Sequence, residues 1–419
     1  MFLALHYLHR ILRSTIELLM PYLLPRHTGV LNAGTARRAL LGFFLSGLLV
    51  GLPGALLPAW GHHLQSSFLW VAFYFFSLNF GVLLANLLAQ IALPRLGTGP
   101  ILTLAAVTGA ISLGVLAYTS TPMSVQTLRA FGLFGAGLAA GLANTAIFQA
   151  ITSIYRHDAA STTNIAGLLF TLGSMTTALI LAQTFYAYSV SAGLLLLAIV
   201  PVLMAVLYGR TEFQAVEPIP HPAEAMQDFK KPAAILFALL LFFQFGNEWS
   251  IAGWLPIFLI QRLGISPETA LKMLAFYWFA LLVGRTVAQA ILPRFNHARL
   301  LLASVLASVF GCLILGTTNN LQGAFVGILL IGASFAPIYP IVVEKLGDRF
   351  PYYHPAFLNG IFAVAMSGGM MAPAGLGLVA HYFEIQVMIV VPFVGSLMVF
   401  LLIFLIWLEA KLQKLTSRE

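Results

Sequence analysis

The chain has 419 residues, of which 60% are hydrophobic and 8% charged, with a mean hydropathy of +0.94. Soluble domains carry roughly 25% charged residues, so this chain cannot cover a water-facing surface, and its long continuous apolar runs argue for helices rather than barrel strands. The formal charge of +8 leaves nucleic acid and lipid headgroups open as partners until the charges are located, whereas a lone cysteine, Cys312, inside an apolar run excludes a disulfide framework and a cysteine metal site.

Residues 1–36 are a basic leader in which His6, His9, Arg10 and Arg13 alternate with Leu, Tyr and Ile, followed by Pro21 and Pro25. No small-residue cleavage site follows a clean apolar core, which argues against a secretory signal. An amphipathic helix on the membrane surface is expected, with a disordered tail as the alternative. Span 1 covers 38–60 and ends at Pro58-Ala59-Trp60-Gly61-His62-His63. Span 2 covers 67–93 and closes at Pro94-Arg95, because an apolar run that stops at Pro-Arg reads as a helix leaving the membrane on its charged side. Spans 3 to 6 cover 99–118, 127–153, 162–184 and 189–208, which completes a first half at 37–208. The longest polar segment, 209–231, carries Glu212, Glu217, Glu224, Asp228, Lys230 and three prolines, and reads as a linker. Spans 7 to 12 cover 233–259, 271–292, 300–316, 322–343, 356–380 and 386–408, within a second half at 232–410; a polar tail, 411–419, follows.

Twelve spans put both termini on one side. That side holds Arg37, Arg38, Arg95, Arg156, Arg210, Lys230, Lys231, Arg294, Arg299, Lys345, Arg349 and the tail lysines, against Arg262, Lys272 and Arg129 on the other. By the positive-inside rule both termini are expected in the cytoplasm of a cytoplasmic (inner) membrane. Topology accounts for the positive charge, which removes the motive for nucleic-acid binding and leaves membrane lipids and a small-molecule solute as partners of a monomer.

The two halves repeat. Residues 80–95 return at 279–294: Ala89-Gln90 as Ala288-Gln289, and Leu93-Pro94-Arg95 as Leu292-Pro293-Arg294, at an offset of 199. Leu57-Pro58 answers Leu255-Pro256, Ile147-Phe148 answers Ile338-Tyr339, Asn164 answers Asn359 and Gly173 answers Gly368. A shared offset and order point to a duplicated membrane protein.

Two six-span halves, a central linker and a repeated basic turn after spans 2 and 8 resemble the major facilitator superfamily, whose signature between spans 8 and 9 is similar to Gly284-Arg285…Pro293-Arg294. The first-half copy has Asn86 near the position where the family carries an acid. A narrower resemblance, to the fucose–galactose–glucose:proton symporter branch, rests on Gly246 to Pro256 in span 7 and Gly332 to Pro340 in span 10. Proton-coupled fucose carriers of that branch use acids in spans 1 and 4. Gly54 and Asn144 stand at the nearest positions here, so that mechanism is not inherited. The resemblance implies an all-α membrane protein with twelve transmembrane helices in two six-helix pseudo-symmetric halves, the major facilitator fold.

Ionisable groups at bilayer depth are costly and point to function. Glu248, halfway along span 7, is the one carboxylate well inside a span. It is a candidate solute ligand and coupling site for a proton or sodium; a structural hydrogen bond is the alternative. Gln244 lies one turn before it and Asn247 beside it. Arg285 near the end of span 8 is a candidate inward-gate contact, with Asn86, Arg95 and Arg294. Sugar sites pair amides and acids with flat aromatic faces, which nominates Asn144, Gln149, Asn164, Trp249, Trp254, Tyr277, Trp278, Tyr339 and Asn359; for any one aromatic the alternative is packing or lipid contact. His62 and His63 are adjacent and do not face one metal. The glycines of spans 4 and 11 fit close helix approach.

No phosphate loop, His-Glu-x-x-His or Gly-x-Ser-x-Gly elbow is present, so an ATP-driven pump or an enzyme is not expected. No cofactor is expected beyond a coupling ion. The chain is expected to be a secondary active or facilitative transporter of a small polar solute, a sugar foremost, by alternating access. An exporter of drug-like or amphipathic compounds is the alternative within the class. A membrane-embedded lipid enzyme or a non-transporting receptor is the alternative outside it.

Overall fold

The computed structural model describes residues 33–64, 67–120, 125–151, 159–213, 228–291, 295–350, 355–383 and 385–416. The leader before Ala33, linker residues 214–227, the turn at 292–294 with Arg294, and the tail after Thr416 lie outside the described residues.

Among the described residues, twelve helical stretches are long and apolar enough to cross a bilayer. Span 1 is built of Ala33–Val50 and Leu52–Ala59, and span 10 of Leu321–Phe335 and Ile338–Arg349. The others are Phe68–Leu96, Thr98–Thr119, Gln126–Ala150, Ala159–Ala182, Val190–Gly209, Pro232–Leu263, Pro267–Ile291, His297–Thr317, Pro355–Phe383 and Val390–Thr416. Both interruptions fall at prolines, Pro53 and Pro337, which have no N–H to give to the preceding turn.

Two helix ends differ from expectation. Span 2 does not stop at Pro94 but runs through it to Leu96. A proline one turn from a helix end costs a single hydrogen bond; the stop comes from Gly97, at φ 81°, whose N–H still reaches the Leu93 carbonyl at 2.9 Å. Span 12 continues past residue 408 to Thr416, and Glu409 and Lys411 find partners there. Glu409 accepts from Arg349 at 2.6 Å, and the Lys411 ammonium lies over the Trp407 ring at 5.3 Å.

The pairing of helices repeats across the halves. Span 2 packs on span 4, span 3 on span 6 and span 1 on span 5; span 8 packs on span 10, span 9 on span 12 and span 7 on span 11. The joints between halves obey the same rotation: span 2 meets span 11, and span 8 meets span 5. Span 1 is 78% buried and span 10 is 72% buried, against 28% for spans 6 and 12, so the former stand at the centre and the latter face lipid. Small residues allow the close seams, with Gly137 against the Leu78 carbonyl and Gly368 against the Phe242 carbonyl.

The helix polarity gives the bundle two ends. The basic end carries Arg38, Arg95, Arg210, Lys231, Arg299, Lys345 and Arg349; the opposite end carries Arg129, Arg262 and Lys272.

Candidate functional site

A cavity lies where the two halves face each other. Phe43 and Val50 of span 1, Asn144 and Phe148 of span 4, and Thr163, Ala166, Gly167 and Phe170 of span 5 form one wall. Phe245, Glu248 and Trp249 of span 7, Arg285 of span 8, Tyr339 of span 10, and Phe362 and Met366 of span 11 form the other. It leaves about 80 Å³ for the centres of water-sized molecules, room for about five waters. Phe148 sits in the last turn of span 4 and Thr163 in the second turn of span 5, so the cavity extends toward the basic end.

Glu248 and Arg285 define its chemistry. Arg285 Nη2 donates to Glu248 Oε1 at 3.3 Å, and both residues are 7% exposed. A buried pair of opposite charges is far cheaper than either charge alone. Helix geometry sets it: span 7 carries Glu248 at mid-length, and span 8 carries Arg285 inside its last two turns. Tyr277, buried in span 8, donates its hydroxyl to the Glu248 carbonyl at 3.3 Å. Asn164 of span 5 donates Nδ2 to the Arg285 carbonyl at 3.0 Å. Gly167, one turn along span 5, is the seat of the guanidinium, since a methyl there would meet Arg285 Nη1 and Cζ. Arg285 of the second half therefore rests on a helix of the first.

Several polar atoms on these walls have no partner among the described residues: Asn144 Oδ1, Thr163 Oγ1 and Arg285 Nε. Buried polar atoms are normally paired, so three unpartnered ones on residues of one cavity are unusual. The rest of the lining is aromatic. Phe245 meets Tyr339 at 5.3 Å and Phe362 at 5.7 Å, and Phe148 meets Phe362 across the halves at 5.9 Å.

The opposite end is sealed between halves. Phe75 of span 2 stacks on Trp254 of span 7 at 5.6 Å, and Trp254 Nε1 donates to the Pro373 carbonyl of span 11 at 3.0 Å. Gly54 of span 1 lies on the Ala252 carbonyl, and Gly253 on the Phe75 ring. At each of these glycines a side chain would hold the spans apart.

The candidates from sequence divide accordingly. Asn144, Glu248, Trp249, Arg285 and Tyr339 line the cavity. Asn164 and Tyr277 stand behind it and hold Arg285 and Glu248 by the bonds given above. Trp278 lines a smaller space beyond Trp249. Trp254 belongs to the seal. Gln244 is buried in span 7, off the cavity, and Asn247 faces Gly395 of span 12. Gln149 is half-buried near the end of span 4 and does not line the cavity. Asn86 accepts from Thr145 at 3.0 Å, which ties span 2 to span 4, and Arg95 is exposed at the basic end. The side chain of Asn359 lies outside the described residues, as does Arg294.

Sequence reasoning did not reach the Glu248–Arg285 pairing, Thr163, Gly167 or the phenylalanine walls. One signal for the pairing was present: an acid and an arginine, both inside apolar spans, each need an opposite charge. Nothing in the sequence marks Gly167 among 36 glycines.

Residues 39–373 match the model of the Major Facilitator Superfamily. An uncharacterized MFS-type transporter of Yersinia pestis is 24% identical over 159 residues, covering 38% of this chain and 41% of that protein. The match thus spans about two fifths of the curated relative. Among solved structures, a D-xylose–proton symporter superposes with a TM-score of 0.70 at 16% identity, over 89% of this chain and 96% of that one. A major facilitator transporter, FucP, in the outward conformation gives 0.63 at 17% identity, over 89% and 99%. The proton:xylose symporter bound to 6-bromo-6-deoxy-D-glucose gives 0.66 at 16% identity, over 90% and 96%. At such identities the likeness is one of fold.

Proposed function

Since the chain belongs to the major facilitator superfamily, we propose that it is a secondary transporter that carries a sugar across a cytoplasmic membrane by alternating access. The observation that carries this reading is the buried Glu248–Arg285 pair on an aromatic cavity wall between the halves. The solute's hydroxyls bond Asn144 Oδ1, Thr163 Oγ1 and Arg285 Nε, and its ring lies on Trp249 and Tyr339. The pair as a whole is neutral, which suits an uncharged solute. The neighbouring folds whose names include xylose support the sugar class.

Glu248 couples a proton to the cycle. Taking up a proton removes the charge that holds Arg285, and the guanidinium then turns to the solute or slides off its seat at Gly167. Because that seat is on span 5, the release is felt at the joint between the halves. The basic end faces the cytoplasm, as the asymmetry of Lys and Arg favours. The cavity is then accessible from inside, while the Phe75–Trp254 seal closes the outside.

Proteoliposomes loaded with D-xylose, fucose or D-glucose test this. The wild-type protein is expected to exchange at least one of them saturably, and to accumulate it when a pH gradient is imposed. Glu248→Gln is expected to keep counterflow and lose uphill accumulation. Accumulation by Glu248→Gln at the wild-type level overturns the coupling role. The five phenylalanines of the wall favour a second reading, export of amphipathic compounds. Failure of all sugar exchange together with efflux of an amphipathic cation decides for it.

A further inference from the structure

Trp249 lines both the main cavity and a smaller space toward the sealed end; Val50 also borders both. The smaller space leaves about 20 Å³ for the centres of water-sized molecules, the room of a single water or hydroxyl. Two buried polar side chains line it, Asn79 of span 2 at 2% exposed and Trp278 of span 8 at 3%. Asn79 Nδ2 donates to the Phe75 carbonyl at 2.8 Å, which fixes the amide's orientation and leaves Oδ1 free. Neither Asn79 Oδ1 nor Trp278 Nε1 has a partner among the described residues. No charged side chain is among the described residues that line the space.

We propose that Asn79 and Trp278 form a second solute subsite, beyond Trp249, that holds one hydroxyl of the solute. One unpartnered acceptor and one unpartnered donor belong to side chains that line a space of hydroxyl size. A hydroxyl gives a proton to Asn79 Oδ1 and accepts one from Trp278 Nε1 at once. A carboxylate has no proton for Asn79, and an ammonium cannot accept from Trp278, so the subsite selects a hydroxyl over either charged group. The two residues come from different halves, and the subsite therefore exists only while the sealed end is closed. A hydroxyl held there draws spans 2 and 8 together. The subsite deepens the proposal of sugar transport and rests on it.

The test is binding to purified full-length protein, read by thermal shift and by calorimetry with D-xylose, D-glucose and fucose. Asn79→Leu and Trp278→Phe, the second of which removes the indole N–H together with part of the ring, are each expected to weaken binding about 3- to 10-fold, the range of one neutral hydrogen bond. The loss is expected to vanish for the one monodeoxy analogue that lacks the hydroxyl held there, a readout that a general packing defect would not give. Wild-type affinity in both variants, with binding lost in Asn144→Leu, overturns the subsite and leaves sugar transport standing. Equal losses for every deoxy analogue also overturn it. If no sugar binds the wild-type protein, the transport reading falls and the subsite with it.

Discussion

Glu248 and Arg285 should behave as one energetic unit. At 3.3 Å, with an effective dielectric constant of 20, their raw attraction is about 5 kcal/mol, set against the cost of bringing both out of water. Removing one partner leaves an uncompensated buried charge, so Glu248→Gln and Arg285→Gln are each expected to lose about 3 kcal/mol. The double variant presents two neutral amides and is expected to lose no more than one single variant, a coupling of about 3 kcal/mol. At about 2–4 °C per kcal/mol for a unit the size of one half, each single variant should melt roughly 6–12 °C lower. The two singles should also differ with pH. An abandoned Glu248 can take up a proton, whereas an abandoned Arg285 cannot lose one. The loss in Arg285→Gln should therefore shrink as pH falls, and that in Glu248→Gln should not. Thermal melting of the four proteins in detergent, from pH 5 to 8, measures all of this. Additive losses, with the double variant falling by the sum of the singles, would refute the pairing.

Gly167→Ala should push the guanidinium off its seat and lower solute flux at least tenfold, whereas Gly114→Ala, where an added methyl meets nothing, should leave flux unchanged; equal flux in both would overturn the role of the seat. Gly54→Ala should prop the sealed end open, because its methyl meets the Ala252 backbone carbonyl. A cysteine placed at Phe75 should then react faster with a membrane-impermeant thiol reagent than in the parent, and an unchanged rate would count against the seal. At the sealed end, burial first, then Arg129 and His63, hold the His62 imidazole down at about 4 from its usual 6.5. The unfolded chain therefore binds the proton first: the contribution to stability is complete above pH 6.5 and is lost as pH falls toward 4, about 3 kcal/mol in all. Melting curves should show this slope in the wild type and a flatter one in His62→Asn; parallel slopes would contradict it.

The sequence by itself determined the class, the twelve spans and the duplication. These follow from local rules: a bilayer needs about 20 apolar residues per helix, and a shared offset of paired residues survives divergence. It also marked Glu248, because a carboxylate in an apolar run is conspicuous wherever the run sits. The ends of helices were less legible. Pro94 signals a stop, but Gly97 three residues later makes it, and span 12 runs on past residue 408, where Arg349 from another span reaches Glu409. Only the tertiary structure decided what Glu248 faces. Arg285 lies 37 residues away, and its position near the end of a span suits a gate contact as well as a cavity. Its guanidinium turns inward because span 5 offers Gly167, where a missing side chain leaves room for it. The nominated aromatics show the same limit. Trp249, Trp254 and Trp278 are alike in a hydropathy pattern, yet one lines the cavity, one seals the opposite end and one stands between. Which of these a tryptophan does depends on the helix packed across from it, and that partner is chosen by the assembled bundle, not by the residue's neighbours in sequence.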